Sequence, residues 1–144
     1  MSLCTLPTIT ESRFTSYFNY GYTGSYSGVS SFTTNEFSLP AIVVKAGAYS
    51  PIEPDTHVYA GKLSIAVVTQ IDDVEAPLEA HDAEVSRIYD LLADKAATLA
   101  YLNESGNSFG CHNFDITSFN QDRDERSLIS ELSLDIYAQT LELP

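Results

Sequence analysis

The chain has 144 residues, of which 44% are hydrophobic, and this composition excludes wholesale disorder. A chain of this length has room for one domain with a real core, because about 100–150 residues is the commonest domain size. Twenty acidic residues against seven Lys and Arg give a formal net charge of -13 at pH 7. Phosphate contacts require Lys or Arg, so this charge disfavours non-specific binding to nucleic acid or to an anionic membrane. Solubility alone is the alternative explanation for the excess of acid.

The two cysteines, Cys4 and Cys111, are too few to build the disulfide framework of a small secreted domain. We therefore expect a reducing environment. The N-terminus lacks a basic segment followed by an apolar run, and no stretch approaches the roughly 18 apolar residues of a membrane span. These features predict a soluble protein that is cytoplasmic when made and that has no membrane partner.

Residues 1–38 are predicted to form an N-terminal helix followed by an extended loop or arm. Thr8-Ile9-Thr10-Glu11 fits a capping box, and apolar residues then recur at helical spacing, which predicts a helix over about residues 9–20. Gly21 is expected to end this helix in a left-handed conformation. From residue 22 to residue 38 the chain is rich in Gly, Ser, Thr and aromatic residues without a firm period, so we interpret it as a long loop.

Residues 39–144 carry the regular patterns of the chain. Gly61 to Asp72 alternates between apolar and polar residues, which is the two-residue period of a half-buried strand. Pro77 suits a first helical turn, and apolar residues then recur at i, i+3 and i+7 as far as Leu92. Together these patterns predict strands at 41–48, 61–72, 109–119 and 128–139, and helices at 77–92 and 96–103.

This order of elements predicts an α+β fold in a single domain whose core spans residues 39–144. The sheet is expected to be four-stranded and mostly antiparallel, with the helices packed on its apolar face. Its opposite face is expected to be polar, and we predict that it is covered by another subunit or by solvent.

The sequence gives no catalytic arrangement. His57, His81 and His112 are widely separated, and none belongs to a metal-binding motif. Cys111 and His112 are adjacent in a predicted strand, so their side chains should point to opposite faces. No nucleophile, base and orienting group can be assembled, which leaves a small hydrolase as the weakest interpretation. We predict a protein that is not an enzyme, with no cofactor and no metal ion.

Acidic residues are concentrated between Asp72 and Asp94, where eight carboxylates meet one basic residue, Arg87. Because this stretch also carries the clearest helical repeat, the charge is expected on an ordered helix surface, where it would repel one partner or hold a basic one. The aromatic residues Tyr22, Tyr26 and Phe32 lie among Ser and Gly, a composition typical of adaptable protein contacts. We predict a subunit contact there, with a plain flexible arm as the alternative.

Four segments carry a resemblance to a known family. They are Leu39-Pro40-Ala41-Ile42-Val43-Val44, Leu63-Ser64-Ile65-Ala66-Val67-Val68, the helix from Ala80-His81 to Leu92, and the closing strand from Arg126-Ser127-Leu128 to Ala138. In their order, over about residues 39–142, the chain resembles the tail terminator and tail-completion family of long-tailed bacteriophages. The Tyr/Ser/Gly-rich segment after the first helix departs from the family's usual shape.

The resemblance implies a structural virion protein of the neck, assembled in the host cytoplasm. It would form a homohexameric ring that caps the tail-tube protein and meets the head-closure or connector protein, while viral DNA passes through the channel without specific binding. A negative wall would keep DNA binding weak. We predict that some of Glu79, Asp82, Glu131 and Asp135 face the bore or a basic neighbour. The alternatives are an acidic DNA mimic or other charge-based inhibitor, and a head-closure protein of the same neck.

Overall fold

A computed structural model describes residues 6–22, 24, 29–32, 41–52, 58–70, 77–103, 109–123 and 126–140. The described part contains three helices and five strands. In chain order these are α1 (Leu6–Gly21), β1 (Val29–Ser31), β2 (Ala41–Pro51), β3 (Val58–Gln70), α2 (Pro77–Ala93), α3 (Lys95–Leu102), β4 (Phe109–Arg123) and β5 (Ser127–Thr140).

The strands form one mixed sheet in the order β1-β2-β3-β5-β4. The α+β architecture is as predicted, but the expected four-stranded, mostly antiparallel sheet is wrong, because β1 adds a fifth strand that runs parallel to β2. This strand lies inside the segment that we interpreted as a long loop. A strand of three residues is too short to show a two-residue period, so β1 could not be predicted from the sequence pattern.

The core lies between one face of the sheet and the helices. Ile42, Ile65 and Leu134 are fully or almost fully buried in the central strands. From the helical side, Phe14 of α1 packs edge-on against Phe114 of β4, with ring centroids 6.0 Å apart. No helix in the described ranges is long and apolar enough to cross a membrane.

Two β-bulges reset the alternation of β4. The register against β5 shifts between Cys111 and Asn113 and again between Ile116 and Ser118. Each bulge inserts one residue, so the apolar side chains that follow return to the core side of the sheet. As a result Phe114, Ile116 and Phe119 all pair with β5 residues that point towards the helices, although their spacing fits neither a strand nor a helix.

Both edge strands are held by an asparagine from the end of a helix. At the β1 edge, the side-chain amide of Asn19 accepts from the Val29 N–H and donates to the Val29 carbonyl oxygen, both at 2.8 Å. At the β4 edge, Asn103 accepts from the Cys111 N–H at 2.7 Å and donates to the Cys111 carbonyl oxygen at 2.9 Å. Each amide thereby completes backbone hydrogen bonds that the sheet leaves open.

Helix α1 begins earlier than predicted, which removes the proposed capping box. The helix starts at Leu6, so Thr8 lies inside it. Glu11 is buried and its carboxylate instead accepts hydrogen bonds from the Ser31 hydroxyl and from the Ala46 N–H, the latter at 3.0 Å. The helix does end at Gly21, but the φ angle of this glycine lies outside the left-handed range. A Cβ there would lie 2.5 Å from Leu91 Cδ2, so close packing on α2 accounts for the glycine.

Candidate interaction surfaces

The face of the sheet that points away from the core is here called the open face. Its register aligns polar side chains in rows across the strands. One row runs Lys45, Ser64, Ser133 and Ser118 across β2, β3, β5 and β4, and the next runs Lys62, Asp135 and Asp115 across β3, β5 and β4. Both lysines, Asp115 and Ser118 are exposed, so this part of the face is accessible.

A shallow depression of about 520 Å³ occupies the middle of the open face. Lys45 and Lys62 line it on the side of β2 and β3, and Glu131 lines it on β5. Lys62 forms an ion pair with Asp135, and the ammonium of Lys45 lies 4.6 Å from the centroid of the Phe32 ring. The open face is therefore basic towards β2 and β3 and acidic towards β5 and β4.

The four carboxylates predicted to share an acidic surface lie on two different layers. Glu131 and Asp135 are on the open face, whereas Glu79 and Asp82 are exposed on α2, which packs on the other side of the sheet. Asp82 also accepts a hydrogen bond from Gln121 Nε2 at 3.2 Å. On α2 the exposed residues Glu79, Asp82, Ser86 and Asp90 follow helical spacing, so they form a separate acidic stripe.

The three aromatic residues that were predicted to form a subunit contact do not share one surface. The Tyr22 hydroxyl donates to the carboxylate of Glu84, a buried residue of α2, so Tyr22 serves the fold. Phe32 is 47% exposed beside Lys45 and is available to a partner. Tyr26 lies outside the described residues.

An apolar groove between α2 and β4 was not predicted. It encloses about 440 Å³, and Tyr89 and Phe119, which are about half exposed, lie on its two sides with Val85, Ile116 and Leu132. Exposed apolar clusters of this kind mark contact sites more often than single exposed residues do. The helical period places Tyr89 outside the buried stripe, so its exposure could have been predicted from the sequence. Phe119 reaches the groove only because of the second bulge in β4, which the sequence does not indicate.

A buried chain of hydrogen bonds links α2 to two strands. His81 is fully buried, with Nδ1 2.8 Å from Thr69 Oγ1 and Nε2 2.7 Å from Ser130 Oγ. Gln121 Nε2 donates to Ser130 Oγ at 3.1 Å. The neutral imidazole donates from one ring nitrogen and accepts at the other, so either tautomer satisfies both hydroxyls. Burial lowers the pKa of His81, an effect that Asp82 opposes.

These hydrogen bonds bring together a hydroxyl and an imidazole, a pair that was not predicted because Ser130 and His81 are far apart in sequence. Ser130 is only 1% exposed and Thr69 is fully buried, so a substrate has no route to the hydroxyl. The arrangement satisfies buried polar atoms, and its chemical role is to fix α2 on the sheet.

Cys111 and His112 are separated, as expected for neighbouring strand residues. Cys111 is buried, and burial raises the pKa of its thiol to about 11, which keeps it protonated and poorly nucleophilic at neutral pH. His112 is exposed, with Nε2 2.8 Å from Gln139 Oε1. His57 lies outside the described residues. Within the described ranges, no three His, Cys, Asp or Glu side chains converge as metal ligands.

Comparison with known proteins leaves the family open. No protein-family model matches the chain, and a search of curated proteins finds no match.

Proposed function

We propose that this chain is a structural protein of a phage neck, which forms a six-membered ring on the last ring of tail-tube protein and joins the tube to the head connector. The resemblance described for residues 39–142 suggests the family. The described structure supports a role in assembly through one observation, which is the presence of two different exposed surfaces on opposite layers of the same sheet.

A closed ring of identical subunits requires two such surfaces. Each copy must offer one surface to the neighbour on its left and a different one to the neighbour on its right, because the contacts in a cyclic ring are heterologous. The open face supplies a polar surface with small side chains at Ser64 and Ser133. The α2–β4 groove supplies an apolar one, with Tyr89 and Phe119 as its exposed anchors.

The acidic charge fits the passage of DNA. If the open face is used in subunit contacts, the stripe of Glu79, Asp82 and Asp90 on α2 is the better candidate for the wall of the bore. Carboxylates repel phosphates, so DNA would pass without being held by the many contacts that make basic proteins bind tightly. Some of the four named carboxylates were predicted to face the bore, and we therefore propose Glu79 and Asp82 for that position.

Affinity capture tests this function. A tagged form of the chain, expressed in cells that assemble the particles, should capture tail-tube protein. Phe119→Asp places a charge in the groove, which should disrupt the contact between copies in the ring and so reduce the capture. Tyr20→Asp alters an aromatic side chain that is 79% exposed outside both surfaces and should leave the capture unchanged. Capture of connector protein without tube protein would assign the chain to the neighbouring head-closure position. Capture of neither would contradict a place in the neck.

A second candidate, an acidic DNA mimic, is favoured by the acidic stripe itself. Glu79 and Asp82 lie about 5–6 Å apart on one helix face and Asp90 lies about 12 Å further along, so the stripe presents a line of negative charge. Such a protein would inhibit a nucleic-acid enzyme by occupying its basic groove. Capture of such an enzyme in the same experiment, in place of tail protein, would select this candidate.

A further inference from the structure

We infer that the open face is self-complementary and that two copies of this chain pack face to face through it, related by a twofold axis parallel to the strands. This inference goes beyond the ring proposed above and stands without it. It describes the free chain, because a ring that uses the open face requires the two copies to separate first. It concerns a contact between two identical surfaces, whereas the ring needs two different ones.

The charge pattern of the face carries the argument. Lys45 and Lys62 lie on β2 and β3, while Glu131 and Asp135 lie on β5. A twofold axis that runs between β3 and β5 places β3 of one copy over β5 of the other. Because Lys62 and Asp135 are direct neighbours in the register, each then meets its opposite charge in the second copy.

The second charge pair follows from the same rotation. Glu131 of one copy would lie over β3 of the second copy. The nearest lysine on the neighbouring strand there is Lys45 of the second copy, which is one strand and two residues away. That offset is about 8 Å along the sheet, which the two long side chains can span. The twofold axis repeats each of these two attractive charge pairs, and it places no lysine over a lysine.

The side chains between the charges permit a close approach. Ser64 and Ser133 form the centre of the row and Ala66 lies beside them, so the middle of the axis presents small side chains, and the larger Tyr137 and Ile129 lie towards its two ends. Sheets pack face to face at about 10 Å, which small residues allow. Four strands by five residues span about 20 Å by 17 Å, which is small for a stable interface, so the dimer should be weak and sensitive to salt.

Charge reversal provides the test, with sedimentation velocity at low salt as the measurement. The wild-type chain should show a concentration-dependent dimer that dissociates at high salt. Lys45→Glu with Lys62→Glu makes the face uniformly acidic and should weaken the dimer at least tenfold. Glu131→Lys with Asp135→Lys makes the face predominantly basic, with Asp115 retained, and should weaken the dimer as much.

The decisive sample is an equal mixture of these two variants. The acidic face of one should bind the basic face of the other, so the mixture should dimerise more tightly than either variant alone. Glu79→Lys with Asp82→Lys is the matched control, because it makes the same charge change on α2 and should leave the dimer unaffected. Circular dichroism of every variant establishes that it folds.

Three results would overturn the inference. They are a wild-type chain that stays monomeric at low salt at every concentration, a mixture that associates no better than its components, and a control that dissociates like the face variants. Capture of tail-tube protein is a separate measurement, so the ring proposal and the dimer can fail independently.

Discussion

His81 Nε2 lies 2.7 Å from Ser130 Oγ in a part of the core where both residues are inaccessible to solvent. The imidazole therefore replaces water as the partner of two strand hydroxyls, on β3 and on β5. A buried polar group that is fully satisfied fixes the geometry around it, and losing the imidazole removes a hydrogen bond from each of the two hydroxyls. The position of α2, and with it the acidic stripe and the groove, depends on this residue.

His81→Ala should lower the free energy of unfolding by about 3–5 kcal/mol, because it creates a cavity and leaves the hydroxyls of Thr69 and Ser130 without the imidazole. Urea denaturation followed by circular dichroism measures the change. His112→Ala removes an exposed histidine and should change stability by less than about 0.5 kcal/mol. Equal effects of the two substitutions would contradict the structural role of His81.

The same residue predicts how stability depends on pH. Burial lowers the pKa of His81 in the folded chain, while the unfolded chain retains the ordinary value near 6.5. Below that value the unfolded state binds more protons, so the contribution of His81 is complete above about pH 6.5 and is lost as the pH falls towards the folded-state pKa. His81→Gln cannot titrate. Its unfolding free energy should fall less than that of the wild type between about pH 7.5 and pH 5, and parallel curves would refute the assignment.

Gly61 is predicted to be essential for packing on β3. Tyr49 lies directly across the strand pair, and a Cβ at Gly61 would meet the Tyr49 ring at 2.6 Å. The ring is held in place because its hydroxyl lies 2.6 Å from Thr10 Oγ1. Gly61→Ala should therefore cost about 1–3 kcal/mol of overpacking, measured by thermal or urea unfolding.

Gly110→Ala is the control for that substitution. A Cβ at Gly110 would meet its nearest neighbour, the Gln139 carbonyl oxygen, at 3.9 Å, which is an ordinary contact. We expect this variant to be as stable as the wild type. A Gly61→Ala variant that is equally stable would mean that the Tyr49 ring is not fixed over the glycine.

The asparagine at the β4 edge makes a prediction for hydrogen exchange. Asn103→Ala removes both bonds to Cys111 and should cost about 1–2 kcal/mol, with faster exchange of the Cys111 amide. Asn103→Asp retains the acceptor for the Cys111 N–H but not the donor to its carbonyl oxygen. Protection of that amide should therefore survive in the Asp variant, and loss of protection there would contradict the paired bonds.

The elements that the sequence predicted are those with a sustained period. The alternation through Leu63, Ile65 and Val67 and the helical repeat through Ile88 and Leu92 identified β3 and α2, because burial on one face imposes these spacings. The strand β1 was missed because it has only three residues. The last part of β4, from Asn120 to Arg123, was missed because these residues are all polar and show no alternation.

The candidate surfaces were less predictable for a different reason. Sequence reasoning identified Glu131 and Asp135 as exposed acids but could not tell that β3 would bring Lys62 beside them, since pairing between distant strands leaves no local pattern. Likewise, the contact of His81 with Ser130 depends on how α2 crosses the sheet. Composition gives the net charge of the protein, but the register of β3 against β5 is needed to show that Lys62 lies beside Asp135.

The central proposal is that this chain works by assembling with copies of itself at the junction of a phage tail and head. Imaging particles that carry a tagged form of the chain by electron microscopy tests it most directly. The account predicts a single ring of six copies around the channel, at the head-proximal end of the tail tube. Intact particles in which the tag is absent from the neck would contradict it.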